Sequence, residues 1–118
     1  MQEILDAVCE RFPGSPRWNT CLLNRYRDGD DCLGWHDDQD VARYGEEPHI
    51  ASVSFGTERV FRLRRKANND EKVDFKLGGG AILLMHGTMQ ATWEHSVPAK
   101  KGALERINLT FRHVLRAV

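Results

Sequence analysis

The sequence predicts a mostly β domain, an antiparallel double-sheet jelly roll (double-stranded β-helix) with one N-terminal helix. Three observations predict it. Short runs rich in apolar and β-branched residues recur along the chain, clusters of Gly, Asn, Asp and Pro separate them, and only one segment has a helical period. A two-sheet sandwich of another topology would leave the same periodicity, so the pattern speaks to class before connectivity.

The elements follow in order. Gln2 to Phe12 reads as a short amphipathic helix because Ile4, Val8 and Phe12 recur at i, i+4 and i+8. Phe12-Pro13-Gly14-Ser15-Pro16 ends it, since proline and glycine interrupt helical backbone. Strands are then expected over Thr20 to Tyr26, His49 to Gly56, Arg59 to Lys66, Lys72 to Leu77, Ala81 to His86, Trp93 to Val97 and Arg106 to Val114. Asn68-Asn69-Asp70 reads as a hairpin tip. Gly78-Gly79-Gly80 reads as a tight connection and not a phosphate cradle, because no helical pattern follows it.

A length of 118 residues is one domain's worth, with no room for a second core. Hydrophobic content of 41% beside 29% charged residues fits a soluble globular chain. No apolar run is long enough to cross a bilayer and no secretory pattern opens the chain, so an intracellular monomer with no membrane partner is expected. Cys9, Cys21 and Cys32 form neither an even set nor a C-x-x-C pair, which argues against a disulfide framework or structural zinc. Lys plus Arg equals Asp plus Glu at 17 each, so a polyanionic partner would need locally clustered cations.

His36-Asp37-Asp38 places an imidazole and a carboxylate two residues apart, which in extended chain puts both side chains on one side. With a second histidine they would form a 2-His-1-carboxylate set, which suits Fe(II) because it leaves coordination positions open. Taken alone, H-x-D is more often a polar turn, here within the acidic stretch from Asp28 to Asp40. His86 and His95 are both candidates for the third ligand, and spacing does not choose between them.

In Arg106-Ile107-Asn108-Leu109-Thr110-Phe111-Arg112, period two puts Arg106, Asn108, Thr110 and Arg112 on one face. An ordinary half-buried strand with a solvated polar face would look the same. Two arginines bracketing small hydrogen-bonding residues also make a receptor for a small dicarboxylate. Their Cα atoms lie roughly 20 Å apart, and long guanidinium arms can reach inward and fork onto carboxylates. Leu22, Asn24 and Tyr26 make a compatible face on the first strand.

Asn24-Arg25-Tyr26, His36-x-Asp38, Ile50-Ala51-Ser52-Val53-Ser54-Phe55-Gly56, His95-Ser96-Val97-Pro98 and Arg106-x-Asn108-Leu109-Thr110-Phe111-Arg112, in that order, closely resemble the AlkB family of nucleic-acid dealkylases, nearest its DNA-repair branch. The resemblance runs from about Cys21 to Arg112. It implies that His36, Asp38 and His95 ligate Fe(II), which selects His95 over His86. It implies that Arg106, helped by Tyr26 and Asn108, holds the distal carboxylate of 2-oxoglutarate. Arg112 and Asn24 would lie near the carboxylate beside the metal, and Leu22 and Ser52 would line the pocket. Asp40 matches an acidic position that approaches the exocyclic amine of the target base.

The implied activity is that of a dioxygenase. Decarboxylation of 2-oxoglutarate to succinate by dioxygen drives hydroxylation of a methyl group on a base nitrogen, and the product releases formaldehyde. Bases such as 1-methyladenine and 3-methylcytosine pair poorly and are cheap to extrude from a duplex. Arg62 and Arg64, which share a strand face with Lys66, and Lys100-Lys101 are candidate phosphate contacts, although a solvated edge and a polar loop read equally well. Family members usually carry a nucleotide-gripping lid before the first core strand, whereas only Met1 to Asn19 precede it here. The expectation is therefore one catalytic core over residues 1–118 that binds iron and cosubstrate but captures substrate weakly. The competing expectations are the same chemistry on RNA or protein, and a metal-binding module with little turnover.

Overall fold

A computed structural model describes residues 1–115. The chain forms α1 (Gln2–Arg11), β1 (Thr20–Tyr26), β2 (Leu33–His36), α2 (Val41–Tyr44), β3 (Ile50–Gly56), β4 (Arg59–Arg65), β5 (Asn68–Leu77), β6 (Ile82–Met85), α3 (Met89–Thr92), β7 (Trp93–Val97) and β8 (Arg106–Arg112). The strands make two four-stranded antiparallel sheets, ordered β1-β8-β3-β6 and β2-β7-β4-β5. β1 pairs with β8, β2 with β7, β3 with β6 and β4 with β5, a nested series that alternates between the sheets. That nesting is the jelly roll, and it excludes the sandwich of other connectivity.

Strand alternation decides what each face meets. The outward face of the first sheet offers Ala51, Val53, Leu109 and Phe111, and α1 lays Val8 onto it, with Ile4 and Phe12 alongside. The helical stripe read from the sequence is thus the stripe that is covered. The inward faces meet in a second cluster of Tyr26, Ile50, Phe61, Leu63, Leu77, Met85 and Val97. The polar face of β8 also points inward: Arg106 is 2% exposed, Asn108 7% and Thr110 6%. A buried polar face between two sheets is expensive unless something occupies it, and its burial excludes the reading of β8 as a half-buried strand with a solvated polar face.

Several boundaries differ from the sequence expectation. β2 was not expected as a strand. It is four residues long, contains Gly34 and pairs with β7 across a register shift, too short and irregular for period two to show. The single-turn helices α2 and α3 are also additional, α2 being started by Asp40, whose carboxylate accepts the Arg43 amide at 3.2 Å. The β4–β5 turn falls at Lys66 and Ala67, not at Asn68-Asn69-Asp70. There Asn68 accepts the Asp70 amide at 3.1 Å, and the register slips within the start of β5, so these turn-forming residues make a bulge. β8 ends at Arg112 and not Val114. Gly56 ends β3 at φ 95°, where a Cβ would strike the Glu105 carbonyl, so the Ser-Phe-Gly sequence needs its glycine. Among the described residues no helix is long and apolar enough to cross a membrane.

Arg59 is fully buried. It donates to the carbonyls of Asp28 (3.3 Å), Asp31 (2.9 Å) and Pro98 (2.9 Å), and its guanidinium lies 5.4 Å from the Tyr26 ring centroid. It therefore ties the β1–β2 loop to the end of β7, beside the two strands, β2 and β7, that carry His36 and His95. Arg59→Met would leave three carbonyls without their donor, and a loss of about 2–4 kcal/mol is expected. Urea unfolding checks it, by a lowered midpoint at unchanged slope.

Candidate active site

His36 closes β2 and His95 sits at the centre of β7, directly opposite each other in the antiparallel register. Cross-strand partners project to the same face, and the two rings stand edge-on with centroids 4.1 Å apart. Asp38, two residues past His36, returns to that face, with Oδ2 3.5 Å from His95 Nε2. One ligand atom from each of His36, Asp38 and His95 lies within 4.8 Å of the others. His86, by contrast, is exposed and lies beside His49, outside the cluster.

The surroundings orient these groups. His36 Nδ1 is 2.9 Å from the Gly34 carbonyl, which leaves Nε2 for the cavity. The His95 ring packs on Phe61 at 5.2 Å between centroids, and its Nδ1 is buried without a partner. Burial pushes the Asp38 carboxyl up, but the His95 hydrogen bond and the charges of Arg112, His95 and His36 outweigh it and hold the pKa at about 2. Arg112 lies 3.4 Å from Asp38 Oδ2. The aspartate is thus ionised at neutral pH, the form that ligates metals.

Beside this cluster the cavity continues between the sheets, walled by Tyr26, Leu33, Ser52, Phe61, Met85, Val97, Arg106, Asn108, Thr110 and Arg112. Arg106 donates to Ser54 Oγ at 2.9 Å, and its guanidinium lies against Tyr26, 5.1 Å from the ring centroid. No carboxylate pairs with it among the described residues. Burial lowers its pKa and raises that of Tyr26, so a desolvated cation faces a neutral phenol. Asn108 is held internally, donating to Ser52 Oγ (2.7 Å) and the Val53 carbonyl (3.2 Å) and accepting from Thr110 (2.9 Å).

The donor set fits a ferrous ion. Two imidazole nitrogens and one carboxylate oxygen are the ligands such a site uses. Adjacent ligands on an ion at about 2.1 Å lie roughly 3 Å apart, close to the 3.5 Å between His95 and Asp38. The cosubstrate pocket fits a dianion. Among the described residues four buried side-chain nitrogens lack a partner, and three of them, on His95, Arg106 and Arg112, belong to residues lining this cavity.

Eight residues singled out in the sequence therefore meet here: Tyr26, His36, Asp38, Ser52, His95, Arg106, Asn108 and Arg112. Leu22 is 50% exposed and lines a neighbouring groove with Arg43, Tyr44 and Arg112. Asn24 lines another with Tyr26 and Leu33. Asp40 is outside the cavity, capping α2. Arg62 pairs with Asp74 at 2.8 Å and Arg64 with Glu94 at 3.0 Å. Both point away from the cavity, since Phe61 and Leu63 of the same strand point in. Lys100 reaches the Glu58 carbonyl at 3.4 Å, and Lys101 is exposed beside it. Sequence reasoning missed Gln90 and Arg59, buried polar residues in apolar surroundings with no motif to mark them.

A jelly roll that closes two histidines and an aspartate around one point, next to an unpaired buried arginine, defines an iron- and keto-acid-dependent oxygenase. A family model described as the 2OG-Fe(II) oxygenase superfamily matches residues 1–112, and the chain belongs to that superfamily, within its AlkB group. It is 41% identical over 138 aligned residues to the Arabidopsis thaliana DNA oxidative demethylase ALKBH2, covering 98% of this chain and 43% of that protein. It is 42% identical over 106 residues to the Homo sapiens alpha-ketoglutarate-dependent dioxygenase alkB homolog 3, covering 82% of this chain and 37% of that protein. The chain thus spans less than half the length of these relatives. The solved structure of OsALKBH1 matches with a TM-score of 0.69 at 22% identity, over 94% of this chain and 60% of that one, a likeness of fold.

Proposed function

We propose that residues 1–118 form one catalytic core of an Fe(II)- and 2-oxoglutarate-dependent dioxygenase that oxidatively demethylates alkylated bases in DNA. The convergence of His36, Asp38 and His95 beside Arg106 in a single cavity carries this reading. His36, Asp38 and His95 hold the ferrous ion. Once bound, the ion supplies the dioxygen chemistry that couples 2-oxoglutarate breakdown to succinate with hydroxylation of the methyl group.

The chain's own residues bind and orient. Arg106 forks onto the far carboxylate of 2-oxoglutarate, in a site dry enough for the charges to count, and Tyr26 packs against its guanidinium. His95 and, after it, Arg112 keep Asp38 ionised, and Arg112 would be available to the inner carboxylate. Phe61, Met85 and Val97 keep water from the reacting centre. The Arabidopsis relative is a DNA oxidative demethylase, and the five motif segments of this chain resemble the AlkB family, nearest its DNA-repair branch. Phosphate contact is assigned to Arg62 and Lys100, which line one groove with Lys76, and to the adjoining Lys101, with Arg64 and Asp40 as further substrate positions.

The test is incubation with Fe(II), 2-oxoglutarate and single strands carrying 1-methyladenine or 3-methylcytosine, as DNA and as RNA. Succinate and formaldehyde should appear in equal amounts with the DNA substrate. Succinate without formaldehyde would overturn the substrate, and neither product would overturn the oxygenase reading.

A further inference from the structure

Gln90 is 2% exposed, in the single-turn helix α3, just before the strand that carries His95 but 52 residues from Asp38. Its Oε1 accepts the Asp38 backbone N–H at 2.9 Å, and its Nε2 donates to Met85 Sδ at 3.6 Å. Its main-chain carbonyl accepts from Lys66 Nζ at 3.0 Å, and the same ammonium pairs with Asp37 Oδ2 at 2.8 Å.

Asp38 lies beyond the end of β2, so no ladder hydrogen bond fixes its backbone. Two tethers replace the ladder: Gln90 grips the main chain of Asp38, and Lys66 draws the Asp37 carboxylate away. Neighbouring aspartates compete to face the cavity, and these tethers decide that Asp38 does. Lys66, grouped with the phosphate contacts on sequence grounds, has an internal partner instead.

We infer that Gln90 is a positioning residue for the metal site, setting the carboxylate of Asp38 at the two histidines through its backbone and with Lys66 as its counterpart. This rests on His36, Asp38 and His95 being the metal ligands. Partners that orient a metal ligand typically change affinity 10–100-fold (about 1.4–2.7 kcal/mol) when removed.

The test is Co(II) titration of the full chain with 2-oxoglutarate, read by the visible absorption of the bound ion, with thermal unfolding of the metal-free protein alongside. Gln90→Met keeps length and volume but removes the acceptor, and should weaken Co(II) binding about 10–100-fold. Gln90→Glu keeps an acceptor oxygen at the same reach and should bind within a few-fold of wild type. A folded Gln90→Met protein with wild-type affinity overturns the inference. If that variant does not fold, Gln90→Asn, one methylene shorter, takes its place, and unchanged affinity there overturns it equally. Wild-type protein that binds no Co(II) would instead overturn the metal-ligand reading beneath it.

Discussion

Asp38→Ala is expected to abolish demethylation, a loss on the order of a thousandfold or more, because without the metal no other group supplies the oxidation. Among the described residues Asp38 is the one carboxylate lining the cavity, already ionised and 3.5 Å from His95 Nε2. The fold should persist, since Asp38 is outside both sheets and the cores meet elsewhere. Asp37→Ala is the matched control. Its carboxylate pairs with Lys66 on the other side of the loop, so its removal should cost no more than about tenfold, through looser placement of Asp38. Formaldehyde release and circular dichroism on both variants check this, and comparable losses in the two would contradict the assignment.

Arg106→Leu should remove 2-oxoglutarate binding, lowering kcat/KM for the cosubstrate about a hundredfold or more, as expected for a lost bidentate charged contact (about 3 kcal/mol). The same substitution should leave the ligand-free protein at least as stable as wild type. Arg106 is a buried cation held only by neutral partners, Ser54 and Tyr26, with a partnerless Nε and no carboxylate among the described residues, so the empty fold gains little from it. Activity and stability would then move in opposite directions. An equal fall in both, by 2-oxoglutarate kinetics and thermal unfolding, would mark Arg106 as a structural residue and not a cosubstrate receptor.

Much of the fold and most of the site were legible in the sequence, for identifiable reasons. β8 alternates polar and apolar residues strictly over its seven positions, and its inward face carries the chemistry, so period two placed Arg106, Asn108, Thr110 and Arg112 together. The choice of His95 over His86 needed the resemblance, because it depends on the pairing of β2 with β7 across fifty-odd residues of chain, which no local period encodes. β2 escaped for a related reason: four residues with a glycine and a register shift carry too little pattern. Gln90 acts through the backbone N–H of Asp38 and Lys66 through the carboxylate of Asp37, both distant in sequence, and only the folded chain shows that. The charged residues of β4 looked alike as a string, yet Arg62 and Arg64 point outward to acidic partners while Arg59 is buried on carbonyls.

The most direct measurement is a crystal of the protein grown without oxygen, with Mn(II) in place of iron and 2-oxoglutarate, phased to show the manganese by its anomalous signal. The expected result is one peak bonded to His36, Asp38 and His95, with the far carboxylate of the diacid on Arg106. Manganese held by other residues, or 2-oxoglutarate bound away from Arg106, would contradict it.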